Sequence, residues 1–336
     1  MHGHLAGPAA APKTSSMTAD SPFEVVAEEM RELEALLTRR MESAIGLIPD
    51  VGAHLLGAGG KRLRPLLAAL VARASETPVE IALAVGCAAE LIHTATLYHD
   101  DVVDDGRVRR GRPAARMVFG NGIVVLVGDF CLARALETVA ETGQVVVVQS
   151  LARTVTEMAE GEVAQLERAG NAEATTSAYY DVIDRKTASL IAWCARVGGA
   201  VPPALEPAME RYGRAVGRAF QIVDDVLDCA AAEEVAGKSV GHDLQEGKLT
   251  LPVLLACDGD PNIRARIRAA MTETGVPAAA SQEILALVRQ AGGVDRARTV
   301  ATALVDEALE QLAGLRPSRY RDGLEALARL SVERVS

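Results

Sequence analysis

Hydrophobic residues recur at helical spacing along almost the whole chain after Phe23. Apolar positions three and four residues apart are typical of amphipathic helices rather than strands. The predicted helices cover residues 23–46, 65–75, 78–105, 123–141, 146–168, 173–198, 206–230, 248–257, 279–291, 294–314 and 320–332. We find neither a regular βαβ alternation nor a repeat of fixed period. The pattern therefore predicts an all-α fold, with residues 21–336 in a single domain.

The amino-acid composition supports this interpretation. Apolar residues make up 49% of the chain but aromatic residues only 3%, and strands favour aromatic and β-branched side chains. The run GIVVLV, residues 122–127, resembles a strand in isolation. It leads directly into GDFCLARALETV, which has helical spacing, so a helix is predicted across both.

Several classes of protein are disfavoured by simple counts. The formal net charge of −10 argues against a nucleic-acid partner. No uncharged apolar stretch reaches about 18 residues, so we expect no integral membrane segment. Residues 1–20 lack the basic start and apolar middle of a signal peptide and are expected to form a flexible tail. The five cysteines form no CxxC pair, which favours a reducing cytoplasm over a disulfide framework or a zinc site.

Two acidic segments each follow a long apolar run. Asp100 and Asp104 stand four residues apart, on one helix face and about 6 Å from each other. Asp224 and Asp228 repeat this spacing. Like charges at this spacing destabilise a helix, and acids near its C-terminus oppose the helix dipole. The complete DDxxD segments comprise Asp100, Asp101, Asp104, Asp224, Asp225 and Asp228.

A bound cation would explain these carboxylates. Clustered acids raise one another's pKa unless a cation neutralises them, and Mg²⁺ commonly bridges protein carboxylates to substrate phosphates. A solvated acidic face explains one cluster equally well, but two matching clusters favour the metal. DDVVDDG lacks the alternating aspartates of an EF-hand. Glu90 and His93 form a single ExxH pair, whereas a di-iron bundle needs two, and His93 alone is compatible with an ordinary core histidine.

Basic residues in four stretches have the character of anion ligands. They are Lys61 and Arg64 in GGKRLRP, Arg109 and Arg110 in RVRRGRP, Lys186 beside Thr187 in DRKTASL, and Lys238 and Lys248 in GKSVGHDLQEGKLTLP. Guanidinium groups bind phosphate oxygens in bidentate fashion, and lysine adds a point charge. Each group alone is also typical of a solvated surface. Together with the acids, they predict sites for one metal-bound and one bare diphosphate.

Taken in order, these segments resemble the trans-isoprenyl diphosphate synthases of the polyprenyl synthetase family. The likeness covers about residues 52–256 and includes GGKRLRP, ELIHTATLYHDDVVDD, RRGRP, GDF, GEVAQL, KTASL, FQIVDDVLD and GKSVGHDLQEGKLTLP. It implies an isoprenoid-synthase fold, in which helices surround an apolar cavity with both DDxxD segments at its mouth. It also implies a homodimer. The implied reaction is the Mg²⁺-dependent, head-to-tail condensation of isopentenyl diphosphate with an allylic diphosphate.

The resemblance also implies a role for each matching residue. Asp100, Asp104 and Asp224 would be the main Mg²⁺ ligands, helped by Asp101, Asp225 and Asp228. Lys61, Arg64, His93 and Arg110 would hold isopentenyl diphosphate. Arg109, Lys186 and Lys248 would hold the allylic diphosphate, with Lys238 on a closing loop. Thr187 and Gln221 would lie near the developing cation, and Glu162 and Gln165 in the cavity.

The length of the product depends on the floor of the cavity. In the family, a bulky aromatic residue four or five positions before the first aspartate shortens the product, and this chain has Thr96 and Ala95 there. Small residues at these positions resemble those of heptaprenyl, octaprenyl and solanesyl diphosphate synthases, so a C30–C50 product is expected. A geranylgeranyl or farnesyl product stays possible because another helix could supply the stopper, with Phe130 and Leu136 as candidates.

Three other functions are compatible with parts of the pattern. A terpene cyclase would share the DDxxD chemistry but usually lacks the second segment together with GGKRLRP. A squalene-synthase-like enzyme needs a nicotinamide cofactor, for which no motif is present. A non-catalytic subunit of a heteromeric synthase typically loses one or both aspartate segments, and both are complete here.

Overall fold

A computed structural model describes residues 21–56, 62–109, 111–230, 241–272 and 275–333. In order along the chain, its helices are α1 Pro22–Val25, α2 Ala27–Arg40, α3 Leu47–Leu56, α4 Leu63–Ser75, α5 Val79–Val103, α6 Ala115–Phe119, α7 Asn121–Ala140, α8 Val145–Arg168, α9 Thr176–Ile183, α10 Ser189–Ala195, α11 Glu206–Ala230, α12 His242–Gln245, α13 Leu251–Gly259, α14 Pro261–Ala270, α15 Ala278–Gln290, α16 Gly293–Gln311 and α17 Arg319–Leu330. A π-helical turn, Asp184–Ala188, joins α9 to α10, and short 3-10 turns cover Val197–Gly199 and Leu312–Gly314. The strands β1 Val108–Arg109 and β2 Arg112–Pro113 form an antiparallel hairpin.

The all-α prediction is confirmed, and every predicted helix has a counterpart among the described residues. The segment 122–127 is helical, as expected. The prediction of a helix over 23–46 is wrong beyond Arg40, where α2 ends. The predicted helix 173–198 is shorter and is widened into a π turn near its middle.

Four helices are not predicted by the sequence pattern, namely α3, α6, α12 and α14. In α3, Pro49 lies in the first turn, where a missing N–H is tolerated. Gly52 gives room to the side chain of Met41, whose Cε would lie 2.5 Å from a Cβ at position 52. Proline is therefore tolerated and glycine serves packing here, although both normally signal the end of a helix.

Helix α5 runs through the core and packs against α4 and α7. In the part of the chain that the structure describes, it is the one helix long and apolar enough to cross a membrane, but 72% of its most apolar window is buried inside the fold. That burial is characteristic of a core helix. The hydroxyl of Tyr98 on α5 donates to the carbonyl oxygen of Val51 on α3 at 2.6 Å, so the polar end of this buried ring is satisfied.

Helix α11 is the second long core helix, and it packs against α10 and α16. The buried hydroxyl of Tyr212 donates to the carbonyl oxygen of Leu324 on α17 at 2.7 Å. The cysteines Cys87, Cys131, Cys194, Cys229 and Cys257 are all buried and free. Helices α5 and α11 each carry one acidic segment at their C-terminal end.

Candidate active site

The first acidic segment closes helix α5. The N–H of Asp104 donates to the carbonyl oxygen of Asp100 at 2.8 Å and ends the helix. Asp105 follows in the left-handed region at φ 52° and turns the chain towards the hairpin of β1 and β2. The last helical turn therefore presents its carboxylates next to a sharp reversal of the backbone.

Lys186 is the counter-charge of Asp100. Its ammonium nitrogen lies 4.0 Å from Oδ2 of Asp100 and forms an ion pair with Glu162 on α8. The pKa of Asp100 is raised to about 6, mainly because the carboxyl group is buried; Lys186 lowers this pKa, and the charges of Glu162 and Asp104 raise it. The first aspartate is therefore held in an environment that favours a nearby positive charge.

Lys248 is the counter-charge of Asp104. Its ammonium nitrogen lies 3.6 Å from Oδ1 of Asp104 and donates to Oε2 of Glu246 at 2.7 Å. Burial lowers the pKa of Lys248, but Glu246 and Asp104 outweigh burial and raise it above the ordinary value. Lys248 thus stays charged between the first acidic segment and the loop that follows the second one.

The middle aspartate of each segment is buried and faces the protein. Asp101 is 2% exposed, and its Oδ1 accepts from Nε and Nη2 of Arg109 at 2.8 and 2.6 Å. Asp225 is 3% exposed and accepts from the Tyr179 hydroxyl at 2.5 Å and from Nε2 of Gln221 at 2.9 Å. Burial raises the pKa of Asp225 well above its usual range, and the charge of Asp243 adds to this effect.

Gln221 links the second segment to the predicted catalytic threonine. The Thr187 hydroxyl donates to Oε1 of Gln221 at 2.9 Å, while the amide group of Gln221 donates to Asp225. The geometry fixes the orientation of the Gln221 amide, because each of its ends has a defined partner. Thr187, Gln221 and Asp225 therefore form one hydrogen-bonded chain.

Asp228 organises the loop that carries Lys248. Its carboxylate accepts from the backbone N–H groups of His242 and Asp243 at 3.1 and 3.2 Å. The N–H of Lys248 donates to the carbonyl oxygen of Asp243 at 2.8 Å. Burial and the charge of Asp228 raise the pKa of Asp243 to about 7. Since Lys248 also contacts Asp104, this loop joins the two acidic segments into one site.

Other predicted residues lie around this centre. Arg64 is half-buried on α4, and its Nε is buried with no hydrogen-bond partner among the described residues. His93 and Asp224 are half-buried on α5 and α11. Ala95 is fully buried, whereas Thr96 is half-buried and donates to the carbonyl oxygen of His93 at 2.9 Å. Lys61, Arg110, Lys238 and the predicted tail, residues 1–20, lie outside the described residues.

Candidates for the cavity lie on α7 and α8. The amide of Gln165 donates to Glu162 at 3.5 Å. Phe130 is half-buried under the guanidinium of Arg134, which lies 5.0 Å from its ring centre. Leu136 is 47% exposed, so in this chain alone its side chain lies at the surface.

Three residues of the site were not singled out from the sequence. Glu246 and Asp243 occur inside the stretch GKSVGHDLQEGKLTLP, where only the lysines have the charge expected of an anion ligand. Tyr179 is remote from both acidic segments in sequence and gives no local signal. Only the fold brings its hydroxyl to Asp225.

The donor set fits a hard divalent cation that a bound molecule completes. Every acidic candidate offers carboxylate oxygens, the ligands that Mg²⁺ prefers. Within the described ranges, no three His, Cys, Asp or Glu side chains lie close enough to hold a metal ion by themselves. Additional oxygens from a substrate diphosphate would supply the missing ligands, because Mg²⁺ sites typically combine one or two carboxylates with phosphates.

An all-helical fold with two such acidic helix ends, joined by lysines, defines the class of the isoprenoid synthases. The sequence matches the polyprenyl synthetase family over residues 46–288. The chain belongs to the polyprenyl synthetase family, and it is a prenyltransferase.

The relatives most similar to this chain include several polyprenyl diphosphate synthases. The chain is 37% identical to octaprenyl diphosphate synthase of Escherichia coli, over 93% of this chain and 97% of that protein. It is 37% identical to heptaprenyl diphosphate synthase component 2 of Geobacillus stearothermophilus, over 91% and 96%. A crystal structure of polyprenyl synthase from Caulobacter crescentus, complexed with calcium and isoprenyl diphosphate, superposes with a TM-score of 0.88 at 36% identity, covering 97% of this chain and all of that one.

Proposed function

We propose that this protein condenses isopentenyl diphosphate with an allylic diphosphate, head to tail, to give an all-trans polyprenyl diphosphate. The observation that carries the proposal is the pair of lysine contacts, Lys186 at Asp100 and Lys248 at Asp104. They place two strong anion-binding groups beside the carboxylates of one acidic segment. A metal-bound diphosphate matches this mixture of charges, because it carries both cation and anion to the same place.

The outer aspartates Asp100, Asp104, Asp224 and Asp228 would hold Mg²⁺, with Asp101 and Asp225 as positioning residues. Bound Mg²⁺ supplies Lewis-acid stabilisation of the leaving diphosphate. Lys186 and Lys248 would exchange their carboxylate partners for diphosphate oxygens. Arg109, which Asp101 holds in place, would bind the allylic diphosphate. Arg64 and His93, with Lys61 and Arg110, would hold isopentenyl diphosphate.

Thr187 and Gln221 would stabilise the reacting centre. The Thr187 hydroxyl oxygen and the Gln221 carbonyl oxygen are dipoles that Asp225 and Tyr179 hold in fixed orientations. Preorganised dipoles stabilise a developing charge without reorganising during the reaction. The departing diphosphate would accept the proton that the isopentenyl unit loses after the new carbon–carbon bond forms, so no side-chain base is required. An apolar cavity, with the acidic segments at its mouth, would exclude water from the cation.

We assign the product to the range C30–C50. Ala95 and Thr96 are small, and Ala95 is fully buried on α5, where it adds little bulk to the interior. The relatives named above are octaprenyl and heptaprenyl diphosphate synthases. A shorter geranylgeranyl or farnesyl product is the alternative, and Phe130 is then the better stopper because Leu136 is exposed.

The proposed assembly is a homodimer in the cytoplasm, with residues 21–336 forming one domain. Large apolar side chains on α7 and α8 are exposed, including Leu126 at 65% and Val163 at 58%. Such faces mark interaction surfaces. Free buried cysteines suit a reducing compartment. In light scattering, Val163→Glu should shift the protein towards the monomer, whereas Leu330→Glu on α17 should not; an unchanged dimer in Val163→Glu would place the interface elsewhere.

The reaction is tested by incubating the purified protein with Mg²⁺, isopentenyl diphosphate and farnesyl diphosphate. We expect polyprenyl diphosphates whose alcohols, after phosphatase treatment, run as C30–C50 on reversed-phase thin-layer plates. Chelation with EDTA should abolish the product. A cyclic hydrocarbon would support a terpene cyclase instead. No product with the purified chain, but product after mixing with a second polypeptide, would support a subunit of a heteromeric synthase.

A further inference from the structure

The residues Lys186 and Thr187 lie in the π-helical turn Asp184–Ala188. A π turn is rare and occurs mostly as a single wide turn within an α-helix, often at a functional site. In a regular helix, successive side chains are about 100° apart. The wider turn reduces this angle. It allows Lys186 to reach Asp100 and Glu162 while Thr187 donates to Gln221.

Two backbone carbonyl oxygens of this wide turn, those of Asp184 and Arg185, accept hydrogen bonds from named donors. The N–H of Ser189 donates to the carbonyl oxygen of Asp184, five residues earlier. Nη1 of Arg214 donates to the same oxygen at 3.3 Å. The Ser189 hydroxyl donates to the carbonyl oxygen of Arg185 at 2.5 Å. The turn is thus a stable part of the fold rather than a local defect.

Two glycines on neighbouring helices lie against the turn on its two flanks. A Cβ at Gly161 on α8 would lie 2.7 Å from the backbone nitrogen of Lys186 and 2.7 Å from Cβ of Arg185. A Cβ at Gly217 on α11 would lie 2.6 Å from Cα of Ala188. These atoms belong to the backbone or are fixed to it, so they cannot rotate away as the end of a flexible side chain could.

Ion pairs hold the outer face of the turn to α11. Nε and Nη2 of Arg218 donate to the carboxylate of Asp184 at 2.5 and 2.7 Å. Arg214 is itself held by Glu157 on α8 at 3.0 Å. The turn is therefore attached by charged contacts on one side, while the glycines allow α8 and α11 to approach its backbone closely.

We propose that Gly161 and Gly217 are positioning residues for the allylic diphosphate, because their missing side chains allow the π turn to place Lys186 and Thr187. The inference rests on the proposed roles of Lys186 and Thr187 as allylic-site residues. Adding a methyl group at Gly161 displaces the backbone at Lys186 itself. Small displacements of a catalytic group reduce rates strongly, since productive geometry is narrow.

The test compares Gly161→Ala and Gly217→Ala with Gly122→Ala. Gly122 is also helical, and a Cβ there meets no atom within 4 Å, so this variant is the matched control. We expect Gly161→Ala and Gly217→Ala each to raise KM for farnesyl diphosphate and lower kcat at least tenfold, with little change in KM for isopentenyl diphosphate. Gly122→Ala should match the wild type. Unchanged allylic KM and kcat in folded Gly161→Ala would overturn the proposal.

A double-variant cycle separates positioning from a general structural role. If Gly161 acts through Lys186 and Thr187, adding Gly161→Ala to the variant that carries both Lys186→Ala and Thr187→Val should cost little more activity than that variant alone. Full additivity of the two losses would refute the inference. Should Gly161→Ala fail to fold, Arg214→Gln removes the donor to Asp184 without adding bulk at the turn, and the same cycle applies. Failure of the wild type to condense the substrates would refute the proposed function instead.

Discussion

The ammonium nitrogen of Lys248 lies 3.6 Å from Oδ1 of Asp104. This contact ties the end of α5 to the loop that Asp228 organises. The two acidic segments, 120 or more residues apart in sequence, therefore share one lysine-bridged site. In the proposed mechanism, the same lysine would bind a diphosphate once a metal ion had neutralised the carboxylate.

Replacing Lys248 with glutamine tests this exchange. The variant loses one charge-assisted contact, worth about 1.5–3 kcal/mol, so KM for the allylic diphosphate should rise about 10- to 100-fold. Steady-state kinetics with varied farnesyl diphosphate measure the effect. Lys248→Arg keeps the charge and should lose less. If Lys248→Gln retains the wild-type KM, then Lys248 does not bind that diphosphate.

The outer and middle aspartates of the first segment should differ when each is changed to asparagine. Asp100→Asn removes a proposed metal ligand, so a higher Mg²⁺ concentration should be needed for half-maximal rate. Asp101→Asn instead weakens the hold on Arg109 and should mainly raise KM for the allylic diphosphate. Measuring the reaction rate of both variants against Mg²⁺ concentration distinguishes a metal ligand from a residue that positions Arg109. An equal shift in Mg²⁺ dependence would make Asp101 a metal ligand as well.

Removing the Tyr179 hydroxyl leaves Asp225, which is buried, with one donor fewer. Tyr179→Phe should lower the free energy of unfolding by about 1–3 kcal/mol, the usual cost of an unsatisfied buried group, and should also lower kcat because Gln221 loses its fixed neighbour. Urea denaturation and kinetics measure the two effects. Tyr180→Phe, at the adjacent half-buried ring, is the control. Equal stability of both variants would argue against the contribution of this hydrogen bond.

Buried thiols predict the response to high pH. Burial raises the pKa of Cys87, Cys131 and Cys194 to about 12, against an ordinary value of 9.0. Above pH 9 the unfolded chain releases thiol protons that the folded protein retains, so the unfolded state is favoured. The free energy of unfolding should fall by up to about 1.4 kcal/mol per pH unit for each thiol between pH 9 and 12.

Thiol labelling gives an independent measurement. At pH 8 Ellman's reagent should react slowly with the native protein. After denaturation, it should react rapidly with all five cysteines. Fast labelling of the native protein would show that the core opens readily.

Enlarging Ala95 tests the proposed floor of the cavity. Because Ala95 is fully buried, a phenylalanine fits only if an apolar space lies beside it. Ala95→Phe should then shorten the product, as seen on reversed-phase thin-layer plates, with a small change in stability. Without such a space, overpacking should cost about 1–3 kcal/mol of stability. An unchanged product length in a folded variant would remove Ala95 from the floor.

The sequence predicted what depends on local pattern. Apolar spacing located α5 and α11, and the carboxylate spacing located the acidic ends of both helices. It could not predict the direction of individual carboxylates. Asp101 and Asp100 are neighbours in sequence, yet only the reversal at Asp105 brings Arg109 back to Asp101.

Tertiary context also determined the remaining differences. The stretch Asp184–Ala188 has the composition of an ordinary helix, and the residues that lie against its π turn, Gly161, Gly217 and Arg214, are on other helices. Glu246 becomes part of the site because Lys248 folds back on it. Such partners are far apart in sequence or hidden within a motif, so periodicity does not show them.

The wide turn at Asp184–Ala188 has a genetic consequence. The hydrogen bond of a π turn spans five residues instead of the four of an α-helical turn, so we expect loss of a single codon there to restore the narrower winding. Lys186 and Thr187 would then rotate apart although both were still encoded. In-frame deletion of Arg185 or Ala188, which keeps both functional codons, should therefore reduce activity strongly.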